Sequence, residues 1–412
     1  MRHRKTLAVI LGGGKGTRLY PLTKERCKPA ISFGGKYRLI DIPISNCLHS
    51  GVNQIFILTQ FLTSSIHRHI FQTYHLDMLS RGFIEILPAE QTLAGEEWYQ
   101  GTADAVRRSA RYIKNLQVDD ILILSGDQLC RMNYNEMLDF HRKKKADLTI
   151  IGHPVDKREA RRMGIMKTNQ DGKVKKLVEK PQDLALIEGF QSDRGTYMAS
   201  TGNYVFSRHA LLDILEKNTE EDFGRQIIPK TIEDYEVYMY PFYGYWEDIG
   251  TIKSFFYANL DLASPLPQFN LYDEQHQIFT HARFLPAAKV QDSSIKNALI
   301  SEGSMIEKAS IENAVIGIRS VIKANVTIKN SILIGNDFYE HKIDNKKLKP
   351  CIGKNVRIEG AIIDKNVIIG NNVKIKGLQD PNRNSDGDLY CVRDGIIVIP
   401  KGARIPAGRV IK

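Results

Sequence analysis

Isoleucine recurs at positions 295, 300, 306, 311, 316, 322, 328 and 334, then at 352, 358, 363, 369 and 375, and again at 399, 405 and 411. A step of five or six residues fits neither one face of a helix nor the alternation of a strand. It fits a coil of short parallel strands in which each rung sends one apolar side chain into a shared core. The spacing therefore predicts a hexapeptide-repeat, left-handed parallel β-helix over 291–412. Gly317, Asn330, Gly335, Gly353, Asn355, Gly370 and Asn371 suit its tight corners. Two polar stretches, Asn336 to Lys349 and Leu378 to Asp394, interrupt the repeat and are expected to loop out. A β-sandwich is the alternative, but its strands would alternate with period two.

The preceding half has a different texture. Short apolar runs at Leu7–Leu11, Gln54–Thr59, Phe83–Pro88, Ile121–Leu124 and Leu148–Ile151 suit buried strands. Helical patterns fall between them, over Thr63–Tyr74 and over Ala103–Leu116 with Thr102 as N-cap. This alternation predicts an α/β fold: a Rossmann-like, mostly parallel open sheet with helices on both faces and ligands at the carboxyl ends of its strands. Asp171-Gly172 marks a hairpin before a strand at Val174–Val178. Further strands are expected at Tyr204–Phe206, after Ser200-Thr201-Gly202, and over Tyr238–Asp248. Ser264-Pro265-Leu266-Pro267 opens a linker, which sets the expected domains at 1–263, 264–290 (the linker) and 291–412.

The first strand runs directly into Gly12, Gly13, Gly14 and Gly16. Such a turn brings bare backbone N–H groups close to a ligand. Lys15, Arg18, Arg26 and Lys28 follow at once, so the stretch suits a polyphosphate. It is not a P-loop, because Gly16 stands where Ser or Thr belongs after Lys15. Nor is it a dinucleotide fingerprint, because Thr17 stands where the third glycine belongs.

The ordered run GGGKGTRLYPLT…KPA, continued by ISFGGKYRLIDIPISN to Asn46, resembles the signature of sugar-1-phosphate nucleotidyltransferases, specifically the branch that makes ADP-glucose. The resemblance extends motif by motif to about Leu262 and more loosely to the C-terminus. It implies attack by a sugar-phosphate oxygen on the α-phosphorus of a nucleoside triphosphate, a reaction that depends mostly on positioning and cations. Specifically it implies ATP and glucose 1-phosphate as substrates, with ADP-glucose and pyrophosphate as products. By this resemblance Arg18 and Lys28 hold and polarise the triphosphate, while Asp127, in ILILSGDQL, and Asp248, in GYWEDIGT, bind Mg2+. Glu179 takes sugar hydroxyls, Lys180 the sugar phosphate, and Ser200 a further glucose contact. Gly12, Gly13, Gly14, Gly164, Gln91, Tyr99, Gly101 and Asp104 complete the substrate-binding set, with the Gln91 amide suited to reading adenine and Gln60 a lesser candidate there. The chain departs from the family pattern at Cys27, Gln128, Cys130, Asn133 and Thr201, where Ala, His, Tyr, Asp and Met are usual. These departures touch the shape of the triphosphate and glucose pockets and leave every proposed catalytic charge in place.

Members of this family are allosteric homotetramers or heterotetramers controlled by phosphorylated effectors and phosphate. The resemblance places Arg26, Arg38 and Lys401 at such an anion site. The net charge of +11 is spread along the chain with no basic block, which argues against a nucleic-acid partner. No apolar stretch is long enough to span a membrane. Five cysteines without a Cys-x-x-Cys pair argue against a disulfide framework and for a reducing compartment, either the cytoplasm or a plastid stroma reached with a transit peptide absent here. Three alternatives stand beside this reading. One is a nucleotidyltransferase for UDP-glucose, dTDP-glucose or GDP-mannose. Another is a bifunctional acetyltransferase, disfavoured because His341 is the one histidine after residue 290. The third is a non-catalytic regulatory subunit on the same fold.

Overall fold

A computed structural model describes residues 4–77, 81–89, 98–192, 195–343 and 346–412. The chain forms two compact units that do not follow chain order. The first holds Met1–Gly14 and Ile42–Trp246, and the second holds Lys15–Asp41 and Glu247–Lys412.

The first unit is built on a nine-stranded sheet. Its strands are β1 (Thr6–Leu11), β2 (Gln54–Thr59), β3 (Phe83–Pro88), β4 (Asp120–Ser125), β5 (Leu148–Val155), β6 (Gly164–Thr168), β7 (Val174–Glu179), β8 (Tyr197–Ser207) and β9 (Val237–Pro241). The order is β7-β6-β8-β4-β1-β2-β3, with β5 also beside β8 and β9 beside β5. Strands β4, β1, β2 and β3 are mutually parallel, as their continuous apolar runs require of strands buried on both faces. The helices of this part of the chain include α1 (Asp41–His49), α2 (Ser64–Thr73), α3 (Thr102–Lys114), α4 (Tyr134–Lys144) and α5 (Arg208–Lys217). Leu7, Val9, Phe56, Ile121 and Ile123 of the strands share one core with Val106 and Ile113 of α3 and Leu211 and Ile214 of α5.

Three local expectations change. Gly101, not Thr102, sits at the N-cap of α3; the Thr102 hydroxyl instead donates to Asp222 and accepts from Phe223 N. The expected strand at Tyr204–Phe206 is the second half of the longer β8, so Ser200 lies inside a strand. The pairing of β8 with β5 shifts register between Ser200 and Tyr204: the first half pairs with β6 and the second with β4. The aromatic stretch from Tyr238 to Asp248 is two strands, β9 and a short one at Trp246–Asp248.

The second unit is a parallel coil. The same rung position is filled in turn by Ile295, Ile311, Ile328, Ile358, Ile375 and Ile411. A second stack runs Ile306, Ile322, Ile352, Ile369 and Ile405. A third runs Ile300, Ile316, Leu333, Ile363 and Ile399, so Leu333 rather than Ile334 keeps the register. The two long steps, Ile328 to Ile358 and Ile375 to Ile411, contain the polar stretches, which carry antiparallel pairs at His341–Ile343 with Lys346–Leu348 and at Ser385–Asp386 with Cys391–Arg393. Asparagines at positive φ turn corners, and Asn355 links coils by accepting from Asn325 (3.2 Å) and donating to Asn372 (3.0 Å). Gly317 is needed for a different reason: a Cβ there would lie 2.2 Å from the Ile334 carbonyl of the next coil. Residues 15–41 and helix α6 (Ile252–Asp261) belong to this unit; Gly35 O accepts from Ile318 N, and Gly34 N donates to Asn259 of α6.

Candidate active site

In the first unit, β1 ends at Leu11 and Gly12 N donates to Leu58 O of β2 at 2.8 Å. A Cβ on Gly12 would lie 3.2 Å from that carbonyl, and one on Gly13 would lie 3.1 Å from the Gln60 side chain. A Cβ on Gly14 would meet nothing within 4 Å. Packing within the chain therefore accounts for Gly12 and Gly13, while at Gly14 bare backbone borders open space. Gln60 Oε1 beside this turn is buried without a hydrogen-bond partner among the described residues.

Gly126 N donates to Leu11 O at 3.0 Å, which ties the Gly126–Asp127 turn to the same end of the sheet as the glycines. Ser125 Oγ donates to Asp127 Oδ1. Behind this turn lies a buried amide network. Asn203, in the irregular middle of β8, accepts from Ser125 N (2.9 Å) and donates to Gln128 Oε1 (2.7 Å). Gln128 Oε1 also accepts from Trp246 Nε1 (3.0 Å), and its Nε2 donates to Thr201 O. Gln128, one of the departures from the family pattern, thus uses both ends of its amide. Asn203 carried no sequence signal, because nothing local marks the register shift that places it.

The sugar-side candidates meet on β6, β7 and β8. Gly164 pairs with Glu179 across one edge and with Ser200 across the other. A Cβ on Gly164 would lie 2.5 Å from Glu179 Oε2, so glycine is what leaves room for that carboxylate. Lys180 turns out of β7 in the left-handed region, at φ 47°, and its Nζ lies 3.1 Å from Glu179 Oε1. The Tyr204 hydroxyl bonds the Ser200 side chain, and its burial raises the phenol well above its ordinary value.

The remaining candidates of this unit have partners within it. Asp104 is buried near the start of α3, accepts from Gln100 N and Arg108 Nε (each 3.0 Å), and lies 3.6 Å from Arg107. Gly101 approaches the Glu221 carbonyl so closely that a Cβ would sit 2.3 Å from it. Tyr99 donates to Pro88 O at 3.2 Å and packs against the main core. Gln91 lies outside the described residues.

In the second unit, Arg18 lies in the 3-10 turn Thr17–Leu19, entered through Gly16 at φ 60°. The turn is closed by Thr23 Oγ1 donating to Gly16 O at 3.0 Å. Lys28 is buried, and its Nζ lies 3.3 Å from Asp248 Oδ1, which is half-exposed. A Cβ on Gly250 would lie 2.7 Å from Asp248 Oδ2 and 3.3 Å from the Arg18 guanidinium. Two cations thus border one carboxylate around a glycine that keeps the space open.

The same unit holds the expected anion-site residues. Arg26 is buried and its NH2 donates to both oxygens of Asp364, while its Nε has no hydrogen-bond partner among the described residues. Burial lowers the Arg38 guanidinium to about 10 against the pull of Asp41, and Arg283 and Arg26 push the same way. Lys401 pairs with Glu25 at 3.1 Å. The structure adds Lys365, whose Nζ lies 2.7 Å from Asp337 Oδ1. Burial lowers its ammonium to about 8, Asp337 opposes, and Arg38 and Arg26 add to the lowering. Burial would raise the Asp337 carboxyl, yet Lys365 outweighs it and holds Asp337 well below the usual range. Lys365 escaped the sequence because it stands in an ordinary turn of the repeat.

Residues 7–264 match the family model described as Nucleotidyl transferase, and residues 283–410 match the GLGC left-handed parallel beta-helix domain. The first match spans more than half of the chain, and the chain belongs to the nucleotidyl transferase family. A nucleotidyl transferase domain followed by this β-helix is the architecture of ADP-glucose pyrophosphorylase. The chain is a sugar-1-phosphate nucleotidyltransferase of that type. Among the described residues, no helix is long and apolar enough to cross a membrane.

Proposed function

We propose that this chain transfers the adenylyl group of ATP to glucose 1-phosphate, forming ADP-glucose for glycogen or starch synthesis and releasing pyrophosphate. A glucose 1-phosphate oxygen forms the new bond to the α-phosphorus as the bond to the bridging oxygen of pyrophosphate breaks. Negative charge builds up on the transferred phosphoryl group and the leaving oxygens, so fixed cations lower the barrier. In this reading Arg18 and Lys28 supply that charge, the amides of Gly12 to Gly14 hold the triphosphate, and Gln91, Tyr99, Gly101 and Asp104 wall the nucleotide. Gly164 makes room for Glu179 to take sugar hydroxyls, Lys180 takes the sugar phosphate, and Ser200 adds a glucose contact. The observation that carries the reading is the Arg18, Asp248 and Lys28 group around Gly250.

Asp127 and Asp248 are hard carboxylate donors that suit Mg2+. Two carboxylates leave the remaining positions of such an ion to phosphate oxygens and water. When bound, the ion neutralises charge on the triphosphate and the departing pyrophosphate.

Residues 1–263 act as the catalytic domain, 264–290 as a linker and 291–412 as the regulatory and oligomerisation domain of a homotetramer or heterotetramer in the cytoplasm or plastid stroma. Arg26, Arg38 and Lys401 bind phosphorylated effectors or phosphate. Release of pyrophosphate from ATP, glucose 1-phosphate and Mg2+, measured beside UTP, dTTP and GTP, tests the substrate. ATP is expected to exceed the others by roughly tenfold or more in kcat/KM, the scale of one lost hydrogen-bonded contact. Turnover with another triphosphate alone overturns the adenylyl assignment, and none with any triphosphate points to the regulatory-subunit reading.

A further inference from the structure

The first unit has a polar cavity at the opposite end of the sheet from the glycine turn. Its volume is about 330 Å³, within the range of small-molecule sites. It lies at the amino-terminal ends of β1 and β2, under the turn from Ser50 to Gln54 that joins α1 to β2. Four cations, Arg4, Lys5, Arg81 and Arg142, line it, and only Val52 and Leu138 among its lining residues are apolar.

Arg142 is a fixed charge, not a wandering one. Its guanidinium holds Asp120 through Nε (2.8 Å) and NH2 (2.7 Å), and its NH2 also reaches Thr6 Oγ1 (3.2 Å). Arg81 is anchored through its backbone, whose carbonyl accepts from Gln54 Nε2 at 3.1 Å. The nearby carboxylates are engaged: Asp120 with Arg142 and, at 3.9 Å, with Arg4, and Asp119 with Lys5 N at 2.8 Å. The side chains of Lys5 and Arg81 form no ion pair among the described residues. Gly51, at φ +69°, would place a Cβ with nothing within 4 Å, so the cavity has room above that turn.

We infer that this cavity binds a small organic phosphate, with Lys5 and Arg81 meeting the phosphate over the fixed Arg142. The charge excess selects an anion, and the polar lining excludes an apolar ligand. The volume exceeds that of a lone phosphate ion and leaves room for a sugar-sized body beside the phosphate. None of these residues belongs to the nucleotidyl-transfer machinery proposed above, and the inference stands apart from that reading.

The test pairs the whole wild-type chain with the charge-reversed double variant Lys5→Glu/Arg81→Glu, both positions being exposed. Crystals soaked in tungstate are expected to show a tungsten peak in the cavity for the wild type and none there for the double variant. Calorimetric titration with ribose 5-phosphate is expected to lose one binding step, weakened at least tenfold, in the double variant. Turnover and melting temperature should remain near wild type. No peak in the wild-type cavity, or an unchanged titration in the variant, overturns the site. Inorganic phosphate binding the cavity as tightly as ribose 5-phosphate overturns the organic-phosphate assignment.

Discussion

Lys28 Nζ sits 3.3 Å from Asp248 Oδ1, with the lysine buried and the aspartate half-exposed. The pair is asymmetric: a fixed ammonium faces a carboxylate that solvent and ligands can reach. Lys28→Met removes a buried positive charge that the proposed transition state needs. The expected loss is about 10²–10³-fold in kcat, the scale of one missing oxyanion donor, with a smaller change in KM for ATP. Steady-state pyrophosphate release measures it, and a kcat within twofold of wild type removes Lys28 from the catalytic set.

Gly164 offers a sharper geometric test. A Cβ there would sit 2.5 Å from Glu179 Oε2, so Gly164→Ala must push that carboxylate aside. A displacement of about 1 Å costs up to roughly 10²-fold, and here it should appear mainly in KM for glucose 1-phosphate while KM for ATP stays close to wild type. An equal rise in both constants would mean general damage to the sheet and not a lost sugar contact.

Asn203 is expected to act as a positioning residue. It holds Ser125 N and Gln128 behind the turn that carries Asp127. Asn203→Ala should raise the Mg2+ concentration for half-maximal rate by about tenfold, as loss of an outer-shell partner does. Asn203→Asp keeps the acceptor for Ser125 N and should recover part of the effect. If Asn203→Ala lowers thermal stability yet leaves the Mg2+ dependence unmoved, the network serves the fold alone.

Lys365 should make stability depend on alkaline pH. Its folded-state value of about 8 lies below the ordinary 10.5, so between those values the unfolded chain holds the extra proton. Stability then rises with pH through that window, because the cost of a buried ammonium is fully present below about 8 and relieved above it. Arg38 shifts the same way but remains in both proteins compared. The unfolding free energy of the wild type, measured in urea relative to Lys365→Met, should therefore increase from pH 7.5 to pH 10. A flat difference would place Lys365 in contact with water.

Much of this was legible beforehand for identifiable reasons. Strands β1, β2 and β4 announced themselves because central parallel strands must be apolar on both faces. The isoleucine stacks did so because each coil repeats one chemical demand at a nearly constant step. The glycine turn was visible, yet glycines that look alike do different work. Gly13 is packed against Gln60, Gly14 borders open space, and Gly101 and Gly317 are glycines because a neighbouring carbonyl comes too close for a side chain.

The order of residues by itself determined the two kinds of core and the run of amides and cations after the first strand, since periodicity and local composition are written one residue at a time. Tertiary structure decided the rest. It joined Lys28 to Asp248, Arg26 to Asp364 and Asn203 to Gln128, and divided the compact units between Gly14 and Lys15. These partners stand far apart along the chain, and a hydrogen bond or ion pair depends on distance in space, which no local pattern records.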